Sequence, residues 1–160
     1  MSKKKKLLKA FGIIIAYLTI LLLFSLNASG QTLKQKLKIY AKQAPGYYVA
    51  GFADGLNQTI AHHYGAFKRV HPGANDQYWN PDISWTNKGD NFLMRTVFVG
   101  TTDGYHLTRT IGRTAKRFNT MYAPRIAIPK QKWYWHVIDF AFLFVVESLG
   151  FHTTYSWIYK

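Results

Sequence analysis

Hydrophobic positions along the chain fall into four blocks, separated by segments rich in polar residues, glycine or proline. In the blocks at 47–70, 92–118 and 132–151, polar residues recur at steps of three and four, the period of an α-helix. The block at 11–26 is almost uninterrupted and follows a lysine cluster. The pattern predicts a mainly α protein, a small helical bundle with an N-terminal signal peptide or transmembrane anchor helix and a long aromatic loop.

We expect three regions along the chain: 1–30 as signal peptide or membrane anchor, 31–46 as a basic amphipathic linker helix, and 47–160 as a single helical domain. In the first region, lysines precede the apolar run, and Ala28 and Gly30 place small residues where a signal peptidase reads. A cleaved signal and a retained anchor both stay open. Either arrangement keeps the lysines cytoplasmic and places Gln31 outside.

The linker helix predicted at 31–46 has an apolar stripe through Leu33, Leu37 and Tyr40. Pro45-Gly46 is expected to end it, because proline lacks a backbone donor and its ring clashes with the preceding turn. A membrane-surface helix and an ordinary solvated linker are both consistent with this pattern.

The first long helix of the body is predicted at 47–70. Its small residues would permit close packing of helices, as in membrane bundles: Ala50, Gly51, Ala53, Gly55, Ala61 and Gly65. Residues 71–91 then form the predicted long irregular segment, in which Asn80-Pro81 is a turn or a helix N-cap. Trp79 and Trp85 either fix this segment on the core or act as an interfacial anchor or lid.

The last block, at 132–151, is apolar over about the thickness of a membrane. Aromatic residues lie at both ends, as in the belts of membrane proteins: Trp133, Tyr134 and Trp135, then Tyr155, Trp157 and Tyr159. The segment either crosses a bilayer or is the central helix of a periplasmic domain. Its ionisable residues disfavour a span that is exposed to lipid on every side.

Composition adds a strong positive charge to this picture. The formal net charge is +14, and the first thirty residues hold five lysines and no acid, which leaves sixteen bases against seven acids in the rest. Such a charge favours a membrane with anionic lipid headgroups, other envelope phosphates, or nucleic acid. Specific nucleic-acid recognition is not predicted, because no RNP-type, zinc-finger or helix-turn-helix pattern is present. The absence of cysteine excludes disulfides and thiolate chemistry.

Three polar stripes on the predicted helices are the candidate site. The stripes are Asp54/Gln58/His62, Asp103/His106 and His136/Asp139/Glu147. Ionisable groups avoid lipid, so the stripes should face the inside of a bundle. The candidate catalytic groups are Asp103, His106, His136, Asp139 and Glu147. The candidate ligands of a divalent metal are Asp54, His62, Asp103, His106 and His136.

Carboxylate and imidazole ligands without thiolate suit zinc, iron or manganese, and a metal-bound water could hydrolyse an ester. The basic run beside Asp103 and His106 could hold a phosphate, because arginine forks match phosphate oxygens. The candidate anion-binding residues are Arg109, Arg113 and Arg117. The simpler interpretation is structural: Asp103–His106 and His136–Asp139 would be buried hydrogen-bonded pairs, and Glu147 would pair with an arginine.

Four motifs are distinctive: Gly51-Phe-Ala-Asp-Gly, His62-His63-Tyr, Trp79-Asn-Pro-x-x-Ser-Trp-x-Asn-Lys88 and Thr102-Asp-Gly-Tyr-His-Leu107. In these motifs the chain resembles a group of small cell-envelope proteins from Bacteroidetes-type bacteria. The resemblance implies an envelope location, at the inner membrane or on the periplasmic side of a membrane, and brings no established activity.

We therefore expect a bacterial envelope protein that acts as a membrane-associated structural or interaction protein. The alternative is a metal- or acid–base-dependent hydrolase that acts on a phosphate-bearing lipid or envelope substrate through the Asp/His/Glu cluster. Non-specific nucleic-acid binding is a third hypothesis. Convergence of the three stripes in one pocket would favour the hydrolase.

Overall fold

The computed structural model describes residues 33–89, 92–126 and 133–159. These residues form helices and turns and contain no strand, which confirms the mainly α prediction. The α-helices are α1 (Leu33–His62), α2 (Tyr64–Val70), α3 (Asp76–Trp79), α4 (Pro81–Ser84), α5 (Phe92–Thr96), α6 (Gly104–Ile126) and α7 (Trp133–His152). Short 3₁₀ turns are Trp85–Lys88 and Val99–Thr101, and a π-helical turn, Thr153–Ile158, follows α7. The predicted signal or anchor lies outside the described residues.

Two compact units divide the described residues. The smaller unit contains 33–42 and 133–142, and the larger contains 43–89, 92–126 and 143–159. Residues 133–142 therefore group apart from the rest of the 47–160 region that the sequence predicts as one domain.

The predicted break at Pro45-Gly46 is wrong, because α1 continues through it to His62. Asn119, a buried residue of α6, packs against Gly46 and donates a hydrogen bond from its side-chain amide to the Gln43 carbonyl oxygen (3.2 Å). This tertiary contact supports the helix beside the proline, where one helical donor is missing. The described part of the basic segment, 33–46, thus leads directly into the long helix of the body.

Close packing of α1 against α7 confirms the use predicted for two of the small residues. A Cβ atom at Gly51 would collide with the backbone carbonyl of Glu147, and one at Gly55 would collide with Phe151 and Thr154. On α7, a Cβ at Gly150 would collide with the backbone of α1. Glycine at these positions lets the two backbones touch.

The segment predicted as a long irregular loop is a series of short helical turns. The side chains of Asn75 and Asn80 accept hydrogen bonds from the backbone amides of Gln77 and Asp82, at 2.9 and 3.1 Å. Asn80 is therefore the N-cap of α4, one of its two predicted roles.

The two tryptophans of this segment differ in burial. Trp79 packs on Phe67, with ring centroids 5.2 Å apart, at the edge of a core formed by Ile60, Phe67 and Tyr159. Trp85 is 64% exposed and does not fix the segment to that core. The prediction that both side chains pin the segment is correct for Trp79 alone.

Within the described residues, one helical stretch is long and apolar enough to cross a membrane. It covers Trp133–Ile158, 26 residues with a mean hydropathy of 1.4, and 17% of its most apolar window is buried. Large apolar side chains recur along α7 at steps of four, three and four, which places them on one helical face. Their exposures are Trp133 76%, Val137 55%, Phe140 72% and Phe144 61%. We call these four residues the apolar stripe of α7.

Candidate functional site

A groove of about 620 Å³ on the larger unit collects parts of two predicted features. It contains Asp54 and Gln58 from the first polar stripe, and Arg109 and Arg113 from the basic run. Its full lining is Asp54, Asn57, Gln58, Tyr105, Arg109, Arg113, Lys116, Phe151 and Tyr155. The groove therefore has one wall from α1, one from α6 and an aromatic part from the end of α7 and the π-helical turn.

The wall from α6 is fixed by a buried amide on α1. Asn57 donates from its side-chain nitrogen to the Tyr105 carbonyl oxygen at 2.7 Å and to the Thr108 hydroxyl at 3.0 Å. Gly112 lies where α6 approaches α1, since a Cβ there would be 2.8 Å from Oδ1 of Asp54. Residues 105, 109, 113 and 116 follow at steps of four, four and three, so their side chains leave α6 on the same face.

Lys116 bridges two carboxylates beside the groove. Its Nζ atom is 3.0 Å from Oδ2 of Asp54 and 2.6 Å from Oε1 of Glu147. Desolvation acts to lower the pKa of Lys116, but its hydrogen bonds to Glu147 and Asp54 outweigh this and raise the pKa above its ordinary 10.5. The predicted partner of Glu147 was an arginine, and this contact corrects it to a lysine.

The two arginines of the groove are solvent-exposed. Arg109 donates from Nη1 to the Tyr105 hydroxyl (3.2 Å), and its Cζ atom is 5.9 Å from the centroid of the same ring. Across the described part of the chain, neither Arg109 nor Arg113 forms a salt bridge. Arg117, the third predicted anion-binding residue, is exposed and does not line the groove.

The aromatic part of the groove is held by its own contacts. The rings of Phe151 and Tyr155 lie with centroids 5.1 Å apart, and the Tyr155 hydroxyl is 2.9 Å from Nε2 of His63. Thr154, which is fully buried, donates its hydroxyl proton to the Phe52 carbonyl oxygen at 3.1 Å. These contacts fix the two rings against α1.

Asp103 and His106 form a pair outside the groove lining. Asp103 is 1% exposed and precedes α6, where its Oδ1 accepts from the backbone amide of His106 at 2.8 Å. Its carboxylate also accepts from Nδ1 of His106 (2.8 Å) and from the hydroxyl of Thr102 (3.1 Å). Asp103 is thus a helix N-cap rather than a residue of the helical stripe. Asp103 and His106 therefore form a hydrogen-bonded pair, as the structural interpretation predicts, and the contact through Nδ1 orients the imidazole.

Asp139 has a different partner from the one predicted. In the smaller unit, both of its oxygens are 3.0 Å from Nζ of Lys36, and Oδ1 accepts from the Tyr40 hydroxyl at 2.7 Å. Lys36 is almost fully buried, with Nζ 4.6 Å from the Trp135 ring centroid. Burial, together with the hydrogen bond to Asp139, raises the pKa of Tyr40 above 10.0. His136 is exposed and makes no contact with Asp139 among the described hydrogen bonds.

The predicted ligands of a metal ion do not assemble. Among the residues that the structure describes, no three histidine or acidic side chains are close enough to hold one ion. His62 is exposed and lies outside the groove lining, although Asp54 and Gln58 of the same stripe are within it. Asp54 of the first stripe and Glu147 of the third meet at Lys116, whereas Asp103 and His106 form a pair of their own. The zinc, iron or manganese hypothesis therefore has no ligand set in the described part of the chain.

Two kinds of residue in the site were not predicted from the sequence: the neutral residues of the groove and the lysines that contact the acids. Asn57 is three residues after Asp54, so extending the first stripe would have found it. Tyr105 precedes Arg109 by one helical turn, so extending the basic run by helical spacing would have found it as well. No local signal pairs Lys36 with Asp139 or Lys116 with Asp54, because 103 and 62 residues separate these partners.

No family model, curated protein or solved structure matches the chain.

Proposed function

We propose that this protein is a membrane-associated structural or interaction protein of the bacterial envelope, with α7 lying in the lipid bilayer. One observation carries the proposal: α7 presents an apolar stripe outward and holds its two carboxylates against lysines of other helices.

The energetics of the apolar stripe favour a lipid environment. Removing one large apolar side chain from water contributes roughly 1.5–3 kcal/mol, and four such side chains are exposed on this face. Soluble proteins rarely leave so many large apolar side chains in one row on a single helix. Lipid would cover this row without requiring a shaped partner.

The acidic residues of α7 fit the same environment. A charge in a membrane segment is costly unless it is paired or faces protein. Asp139 contacts Lys36, and Glu147 contacts Lys116, each within its own unit. The net charge of +14 further favours anionic lipid headgroups as partners.

The absence of cysteine allows a clean test by labelling. Full-length protein carrying Phe140→Cys or Phe144→Cys would be treated with a water-soluble maleimide in membranes that are open on both sides. Because the bilayer core contains no water, we expect labelling at least about tenfold slower than for Arg117→Cys, with full labelling after SDS. Labelling of the stripe at the rate of Arg117→Cys would overturn the proposal.

A hydrolase is the second candidate, and the Asp103–His106 pair favours it. Asp103 holds Nδ1 of His106, which leaves Nε2 as a possible proton acceptor for a water molecule. Hydrolysis of a phosphodiester that is lost in His106→Gln and resists chelators would support an acid–base enzyme. No turnover by the wild-type protein, or unchanged turnover in the variant, would reject it.

A further inference from the structure

We propose that the groove of the larger unit binds a phosphate group, with Arg109 and Arg113 as the two anchoring cations. The proposal rests on the membrane location only for the source of the phosphate, which would be a lipid headgroup or a water-soluble phosphate ester. The binding chemistry is the same for both.

The charges that line the groove leave the two arginines available. Three cations and one carboxylate line it, and Lys116 already contacts both Asp54 and Glu147. Lys116 offsets one of these two negative charges, and the three cations against two carboxylates leave a net charge of +1 to attract an anion. Arg109 and Arg113 carry no salt bridge in the described part of the chain, so their guanidinium groups retain donors for a ligand.

The spacing of the arginines suits a phosphate. They are four residues apart on α6, which places their Cβ atoms about 5–6 Å apart on one face. Two planar guanidinium groups at this separation can donate to different oxygens of one phosphate. The contact of Arg109 with the Tyr105 ring and hydroxyl restricts its side chain, so less conformational entropy is lost when it binds a ligand.

Neutral groups complete the groove. The exposed amide of Gln58 can donate to a phosphate or an ester oxygen, while Phe151 and Tyr155 offer an apolar surface to the rest of the ligand. Both aromatic residues belong to the stretch that is apolar enough to cross a membrane. A molecule with a phosphate beside an apolar portion therefore matches the groove better than inorganic phosphate.

The test uses the full-length protein in phosphatidylcholine nanodiscs. Glycerol 3-phosphate and, separately, a short-chain phosphatidylglycerol below its micelle concentration would be titrated by calorimetry. The variant is Arg109→Gln/Arg113→Gln. The control is Lys42→Gln/Arg117→Gln, which removes the same charge from exposed positions outside the groove.

We expect the groove variant to lose at least about tenfold in affinity, because each arginine removes a charge-assisted hydrogen bond, while the control stays within about twofold. Arginine-dependent binding of phosphatidylglycerol alone would identify a lipid headgroup, and binding of glycerol phosphate would identify a soluble ester. Failure of both probes to bind, or equal losses in the two variants, would overturn the proposal. Matching circular dichroism and thermal unfolding would establish that both variants are folded.

The outcomes for the two proposals can be told apart. If α7 proves accessible to the water-soluble maleimide while glycerol phosphate still binds through the arginines, the groove is a phosphate site on a protein that is not inserted. If α7 is protected and neither probe binds, the membrane location stands and the phosphate site is rejected.

Discussion

Helices α6 and α7 have similar lengths and opposite exteriors. α6 spans 23 residues and exposes Arg109, Arg113 and Arg117, whereas α7 spans 20 residues and exposes Trp133, Val137, Phe140 and Phe144. Each contributes one partner to the Lys116–Glu147 ion pair. The proposed membrane location accounts for this difference by placing water and anionic groups beside α6 and hydrocarbon beside α7.

Charging the exterior of α7 should have the largest effect. Arginine at the centre of a membrane helix costs roughly 2.5–3.5 kcal/mol on insertion scales, so Phe140→Arg/Phe144→Arg should almost abolish insertion of this helix. The matched double variant on α6 is Ile111→Arg/Phe118→Arg, two exposed apolar positions. Glycosylation mapping on either side of α7 would measure insertion of this helix, and the α6 variant should insert α7 as well as the wild type does. Equal effects in the two helices would remove the contrast between them.

The second largest effect is expected on breaking the ion pair between Asp139 of α7 and Lys36 of α1, which should lower the unfolding free energy. Lys36→Met removes the ammonium group from Asp139 and leaves its hydrogen bond from the Tyr40 hydroxyl, and loss of one member of a buried pair costs about 3–5 kcal/mol. The double variant Lys36→Met/Asp139→Leu should recover most of this loss, since both charges of the pair are removed. Denaturant unfolding in detergent would measure both. A double variant no more stable than the single one would show that the pair is not what couples these residues.

The contact of α7 with α1 should tolerate an added methyl group less well than the contact of α6 with α1. Gly51→Ala pushes a methyl group into the backbone of α7, so we expect a loss of about 1–3 kcal/mol in unfolding free energy. Gly112→Ala on α6 meets mainly the Asp54 carboxylate, which can move, and should cost less. Gly65→Ala, with no atom within 4 Å, is the control and should be neutral or stabilising by about 0.5–1 kcal/mol. Denaturant unfolding of the three variants would measure the loss of unfolding free energy, which should decrease in the order Gly51→Ala, Gly112→Ala, Gly65→Ala.

The smallest expected effect is the pH dependence of the ion pair shared by α6 and α7. The pKa of Lys116 is raised in the folded protein, so its contribution is complete below the unfolded value of 10.5 and is lost as the pH rises through the folded pKa. Solvent screening limits this contribution to about 0.2–1 kcal/mol. Tyrosines with raised pKa values, including Tyr78 and Tyr159, add alkaline sensitivity of the same sign.

Comparison with Lys116→Gln isolates the lysine from those tyrosines. The difference in unfolding free energy between the wild type and this variant should narrow as the pH rises from the unfolded pKa of 10.5 through the raised pKa of the folded protein. A difference that stays constant over this range would show that the ion pair does not stabilise the fold.

Helical content and the apolar segment at 132–151 were predictable, because both depend on local periodicity and length. The predicted end of a helix at Pro45 was wrong for a physical reason. The donor lost at a proline is a local cost, whereas the contact of Asn119 with the Gln43 carbonyl comes from a residue distant in sequence. The N-cap at Asn80 was found because a cap and its helix are adjacent in the chain.

The candidate site was predicted in part. Spacing alone placed Arg109 and Arg113 on one face, and both line the groove. Spacing suggested the local pair Asp103–His106, but it could not assign partners to Asp54, Asp139 and Glu147, whose lysines lie on other helices. Spacing therefore predicted His136 as the partner of Asp139, whereas the structure pairs Asp139 with Lys36.

The contrast between α6 and α7 can be measured directly with labels at two positions. A fluorophore attached to Phe144→Cys and, separately, to Thr114→Cys on α6 would be exposed to lipids that carry a nitroxide on the acyl chain. If α7 faces hydrocarbon, the label at 144 should be strongly quenched and the label at 114 should not. Equal quenching at both positions, or quenching at 144 by a water-soluble nitroxide alone, would contradict a bilayer location for α7.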